Sequence, residues 1–113
     1  MKKKILMLGN HAFVIFNFRK ELIQRLLSEG YEVYISLPYD EKVDIMVSWG
    51  CKFIETKIDR RGMNPFVDLK LILFYLKTIK KIRPDVVLTY TIKPNLYGGL
   101  VCRILNIPYI SNV

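Results

Sequence analysis

The stretch Arg83-Pro84-Asp85-Val86-Val87-Leu88-Thr89-Tyr90-Thr91-Ile92-Lys93-Pro94-Asn95 decides the fold. Its short apolar centre is rich in β-branched residues and is introduced by Pro-Asp, the character of a parallel strand buried on both faces. It ends in hydroxyls and one lysine, and Pro94 with a helical pattern follows at once. A strand built this way delivers side chains into the crevice at its carboxyl end, where open α/β sheets bind ligands. Thr89, Thr91 and Lys93 are therefore expected to face a substrate, and the lysine favours one that carries negative charge.

Working outward, the same alternation recurs along the chain. Residues 5–8 form a continuous apolar strand, followed by a loop over 9–17. Residues 18–29 repeat apolar side chains at Leu22, Ile23, Leu26 and Leu27, a helical period stopped by Gly30 and capped at its start by Asn17. Strand two spans 31–37. A short helix opens at Pro38 and Asp40, carries Val43, Met46 and Val47, and ends at Gly50. Strand three covers 51–58, and a polar loop with Arg60, Arg61 and Asn64 leads to a long helix over 65–82 with Pro65 in its first turn. Strand four is 86–90, a helix spans 95–105, and strand five is 108–113. Strands alternating with helices over short connections predict an α/β fold: a Rossmann-like, doubly wound parallel sheet with helices on both faces. Right-handed crossovers favour five strands in the order 3-2-1-4-5, within one domain spanning residues 1–113.

Composition excludes several classes. With 51% apolar and 25% charged residues, a chain of 113 residues is globular and buries roughly 65% of the surface its unfolded form exposes. Cys51 and Cys102 lack CxxC or Cys/His spacing, so they read as reduced thiols and no metal site is expected. The lysine-led start at residues 2–4 resembles a signal peptide, but Gly9-Asn10-His11 breaks the apolar run after four residues. No run of 18 apolar residues occurs, so no membrane span is expected, and the location inferred is cytoplasmic. A net charge of +8 favours an anionic partner. Nucleic acid is disfavoured, because the basic residues are scattered and no nucleic-acid-binding motif accompanies them. The turn after strand one holds Gly9 alone, so the G-x-G-x-x-G pattern for a dinucleotide is missing, as is a phosphate-binding P-loop. The aspartates of a response-regulator receiver are missing as well.

Reversal of strand order between strands one and four places the loops after them across a crevice. Polar and basic candidates collect there: Asn10, His11 and Asn17 after strand one, Arg60, Arg61 and Asn64 after strand three, and Thr91 and Lys93 after strand four. His11, the single histidine, is the candidate general base, against a plain reading as a surface residue. On the long helix, Leu69, Ile72, Leu73, Leu76 and Ile79 form a stripe expected to pack on the sheet. Leu71, Phe74 and Tyr75, with Lys77 and Lys81, then lie on the far side. They form a candidate contact for a partner protein or, as a basic amphipathic helix, for the inner face of an anionic membrane.

Several motifs, in order, resemble the amino-terminal half of family 4 type glycosyltransferases with the GT-B fold. They are Lys3-Lys4-Ile5-Leu6-Met7-Leu8-Gly9, Phe16-Asn17-Phe18-Arg19, Arg61-Gly62-Met63-Asn64-Pro65, the stretch 83–95, and Gly98-Gly99 with Ile107-Pro108. The similarity is strongest to bacterial enzymes of capsule, exopolysaccharide or O-antigen synthesis. It implies an acceptor-side domain whose partner domain holds the nucleotide-sugar donor, so no cofactor is expected on this chain. It implies acceptor contacts at Asn10, His11, Asn17, Arg19, Arg60, Arg61, Asn64, Thr91 and Lys93, with a lipid-linked sugar or polysaccharide as acceptor. As an incomplete amino-terminal half, residues 1–113 are expected to transfer no sugar alone. The uncharged strand 108–113 would lie at an open sheet edge and pair with a second copy. The other reading is a non-catalytic flavodoxin-like module that binds a partner protein or a small anion.

Overall fold

The computed structural model describes residues 3–56 and 65–112. Its elements are β1 (Lys4–Leu8), α1 (Ala12–Ser28), β2 (Glu32–Leu37), α2 (Glu41–Trp49), β3 (Lys52–Glu55), α3 (Pro65–Ile82), β4 (Val86–Tyr90), α4 (Gly99–Leu105) and β5 (Tyr109–Asn112). A π-helical turn, Pro94–Gly98, runs directly into α4. The five strands form one all-parallel sheet in the order β3-β2-β1-β4-β5, as expected from the alternation.

The apolar strand runs are explained by cover on both faces. Successive β1 side chains alternate: Met7 joins the core under α1 and α2, with Ile15, Ile23, Ile35 and Met46. Leu6 and Leu8 join the core under α3 and α4, with Tyr75, Ile79, Val87 and Val101. Leu6, Met7 and Leu8 are fully buried, each worth roughly 1.5–3 kcal/mol of transfer free energy. Cys51 and Cys102 belong one to each core, and burial pushes both thiols up to about 11. At the other end of the sheet, the Asp85 carboxylate accepts from the Lys4 N–H at 2.7 Å, and the Asp85 N–H donates to the Lys4 carbonyl at 2.8 Å. The Pro-Asp opening of β4 thus clamps β4 to the start of β1.

Two expectations are corrected. The loop over 9–17 is only three residues long, because α1 begins at Ala12, and Asn17 is an exposed residue inside that helix rather than its cap. Of the bulky residues 13–16 only Ile15 is fully buried, facing the sheet with Ala12 and Ile23 on one helical repeat, while Phe13 is exposed. The second correction is the rotation of α3. Leu71, Tyr75, Thr78, Ile79 and Ile82 are its buried residues, so Leu71 and Tyr75 are core and Phe74 is half-buried. Solvent instead meets Phe66 (75% exposed), Leu69 (52%) and Leu73 (54%). Lys70, Lys77, Lys80 and Lys81 are exposed as well.

Candidate functional site

The connections leaving β1 and β4 diverge to opposite faces. α1 packs on one side through Ile15 and Ile23, while α4 packs on the other through Val101 and Cys102. In an open α/β sheet such a divergence places the crevice beyond the last paired residues, here Leu8 and Thr89. Asn10 and Thr91 each lie two residues further along the sequence, at the exits of the two strands.

On the β1 side, the Gly9 N–H donates to the Ser36 carbonyl at 3.1 Å, and a Cβ at Gly9 would stand 2.8 Å from Ile15 Cδ1. The chain therefore turns tightly into α1. Asn10 is half-buried, and its Oδ1 is buried with no hydrogen-bond partner among the described residues. His11, exposed, is the residue from which α1 starts; its backbone is extended and its side chain makes no capping bond. The α1 amino end thus has backbone donors that the His11 side chain does not cap.

The β4 side is built with strain. Thr91 is half-buried at φ 70, a left-handed conformation that a β-branched residue rarely adopts and that costs about 1–3 kcal/mol. Its hydroxyl donates to the Tyr90 carbonyl, and the Thr91 carbonyl accepts from the Asn95 N–H at 3.0 Å. The π-helical turn that follows lies directly on the sheet. A Cβ at Gly98 would stand 2.7 Å from Leu8 Cδ1 and 3.1 Å from Thr89 Cγ2, so only glycine fits there without displacement. Thr89 is fully buried, its hydroxyl 3.5 Å from both the Ile110 carbonyl and Ser111 Oγ, so it serves the sheet rather than the crevice.

Lys93 is not directed at the crevice alone. Its Nζ is 2.8 Å from Asp68 Oδ1 in the first turn of α3, and the Tyr97 hydroxyl donates to Asp68 Oδ2 at 2.9 Å. Lys93 and Tyr97 hold the Asp68 carboxyl below its ordinary value, and Asp68 in turn pushes the Tyr97 phenol up. Asp68 and Tyr97 are the residues that the motif-based reading missed. An acid in a helix's first turn has its own explanation in the helix dipole, and nothing in the sequence ties it to a lysine 25 positions on.

Arg19 is half-buried on α1, with its guanidinium carbon 5.7 Å from the centre of the Tyr90 ring. Burial raises the Tyr90 phenol, and Arg19 partly offsets that rise. The arginine therefore braces the end of β4 from the α1 side. Asn10 and Thr91 thus leave the sheet from neighbouring strands, Arg19 packs on the Tyr90 ring, Asn17 is exposed on α1, and Lys93 is tied to α3. Arg60, Arg61 and Asn64 lie outside the described residues. Among the described residues no group of three His, Cys, Asp or Glu side chains lies close enough to hold a metal, and no helix is long and apolar enough to cross a membrane.

Fold and crevice define the class: a Rossmann-like domain of the kind found in glycosyltransferases with the GT-B fold. A glycosyltransferase from Rickettsia africae superposes with a TM-score of 0.81 at 21% identity, covering 97% of this chain and 29% of that one. MurG from Acinetobacter baumannii gives 0.72 at 20% identity, covering 96% of this chain and 34% of that one. The chain belongs to the glycosyl transferase 4-like family, whose model matches residues 4–113. Within reach by sequence is an enzyme of Campylobacter jejuni, N,N'-diacetylbacillosaminyl-diphospho-undecaprenol alpha-1,3-N-acetylgalactosaminyltransferase. It is 32% identical over 95 residues, which is 84% of this chain and 25% of the relative. The chain thus spans about a quarter of that relative's length.

Proposed function

We propose that this chain is the acceptor-binding domain of a bacterial glycosyltransferase. It would receive a sugar carried on a polyprenyl diphosphate, while a nucleotide-sugar donor sits on a separate domain, in the assembly of a surface polysaccharide. The observation that carries this reading is the 32% identity to an enzyme whose name gives its acceptor as a sugar diphospho-undecaprenol. The crevice supports it chemically. Asn10 and Thr91 supply hydrogen-bonding groups for a sugar, and the α1 amino end supplies positive dipole and N–H donors for a phosphate. His11, at the mouth, is the group suited to take the proton from an acceptor hydroxyl. In the same proposal Arg60, Arg61 and Asn64 are further acceptor contacts, and Arg19 supports the crevice from α1.

Docking on the inner face of an anionic membrane belongs to this reading. It uses the exposed face of α3, with Phe66, Leu69 and Leu73 as apolar contacts and Lys70, Lys77, Lys80 and Lys81 as charges. So does pairing of two copies through the β5 edge, where a mass that rises with concentration in ultracentrifugation is the expected outcome and a fixed monomer the refuting one.

The reading is tested by calorimetric titration of the chain with an N-acetylhexosaminyl diphosphate carrying a short isoprenoid, beside a uridine-diphosphate sugar. Binding of the first, weakened by Asn10→Ala and by Thr91→Val, is expected. Binding of the nucleotide sugar alone would refute it.

A further inference from the structure

Beside the crevice, the first two turns of α3 and the segment entering the π-helical turn enclose an open groove of about 580 Å³. Its size lies within the range of roughly 300–1,000 Å³ typical of small-ligand sites. Leu69, Ile72, Ile92 and Leu96 provide apolar lining, and the Asp68–Lys93 pair lies among them. Because each charge of that pair meets the other at 2.8 Å, the groove presents little net charge to a ligand. Ile92 is 82% and Leu96 61% exposed, an unusual density of apolar surface on a short segment.

We propose that this groove holds the isoprenoid segment next to the diphosphate of the acceptor, an inference that rests on the acceptor reading above. Two continuities select this occupant. Leu69 belongs both to the groove and to the exposed apolar face of α3, so a lipid tail beside that face enters the groove without crossing water. Ile92 directly follows Thr91, so a chain lying along Ile92 and Leu96 carries its polar head to the wall of the crevice. The ion pair has a defined part: bonded to Asp68, Lys93 anchors the segment that bears Ile92 and Leu96, and acts as a positioning residue rather than as the phosphate ligand.

The experiment titrates the chain with two probes, an N-acetylhexosaminyl diphosphate without a lipid and the same head group on a farnesyl chain, below the latter's micelle concentration. The farnesyl compound is expected to bind at least tenfold more tightly. The variant Ile92→Ser/Leu96→Ser is expected to remove that gain and leave the lipid-free probe unchanged. Both residues are exposed, so the fold is expected to survive, which circular dichroism checks. Leu100→Ser, an exposed site on α4 outside the groove lining, should keep the gain. Equal affinity for the two probes, or a gain that survives the double variant, would overturn the groove and leave the acceptor reading standing. Failure of both probes to bind would remove both.

Discussion

Neutralising the exposed lysines of α3 is expected to release the chain from anionic vesicles. Lys70, Lys77, Lys80 and Lys81 are all exposed, and the one acid of the helix, Asp68, is occupied by Lys93 and Tyr97. Each basic residue held near an anionic surface is worth about 1 kcal/mol, so replacing Lys77, Lys80 and Lys81 by Gln should cost about 3 kcal/mol, or roughly a hundredfold in partition coefficient. Those positions are exposed, and surface changes of this kind usually shift stability by no more than about 0.5 kcal/mol. Flotation with vesicles of about 30% anionic lipid would measure the partition, with neutral vesicles and raised salt as controls. Leu73→Ser tests the apolar part of the same face, whereas Leu71→Ser would open the core and report only unfolding. Triple-variant binding within twofold of the parent, or binding insensitive to salt, would refute the docking face.

Tyr75→Phe should stabilise the domain by about 1 kcal/mol in urea unfolding, because the buried Tyr75 hydroxyl has no hydrogen-bond partner among the described residues; a loss of stability would show that the hydroxyl is satisfied. Gly98→Ala should destabilise by about 1–3 kcal/mol in the same assay, since its Cβ would press on Leu8 and Thr89, and an unchanged midpoint would contradict that contact. Asp68 has a folded value below its ordinary 3.8, so its contribution is complete above that value and is lost as pH falls through the lowered one. Asp68→Asn should therefore lower stability at neutral pH and flatten the acid limb of a stability profile measured between about pH 6 and pH 2; parallel profiles would rule out the coupling.

Strand order was legible because each strand is a short apolar run bounded by Gly, Pro or Asp, and because alternation with helices leaves few topologies. The start of α1 was not, since residues 13–16 are aromatic or β-branched and look like turn filler. Only the buried spacing of Ala12, Ile15 and Ile23 shows that they are helical. At the site, Thr91 could be placed from the sequence but its left-handed backbone could not, because nothing in its residue type asks for φ 70. Lys93 could be read only as a substrate contact, because its partner, Asp68, sits on another element.

The rotation of α3 is the instructive case, because two apolar stripes of similar quality compete. One runs through Leu71, Tyr75, Ile79 and Ile82 and meets only Thr78 on its way. The other runs through Phe66, Leu69 and Leu73 and continues, on the same helical repeat, into Lys77 and Lys80. Burying the second would bury two ammonium groups without partners, a cost that excess leucine on that face cannot offset. Charge at the far end of the stripe, rather than apolarity at its near end, therefore sets the rotation. The same asymmetry orients the exposed face. Its apolar half begins where Asp68 meets Lys93, next to the crevice, and its lysines lie toward the opposite end of the sheet. In the proposed docking, a bilayer held by those lysines would meet Phe66 and Leu69 at the crevice end, where a lipid-linked acceptor would leave it.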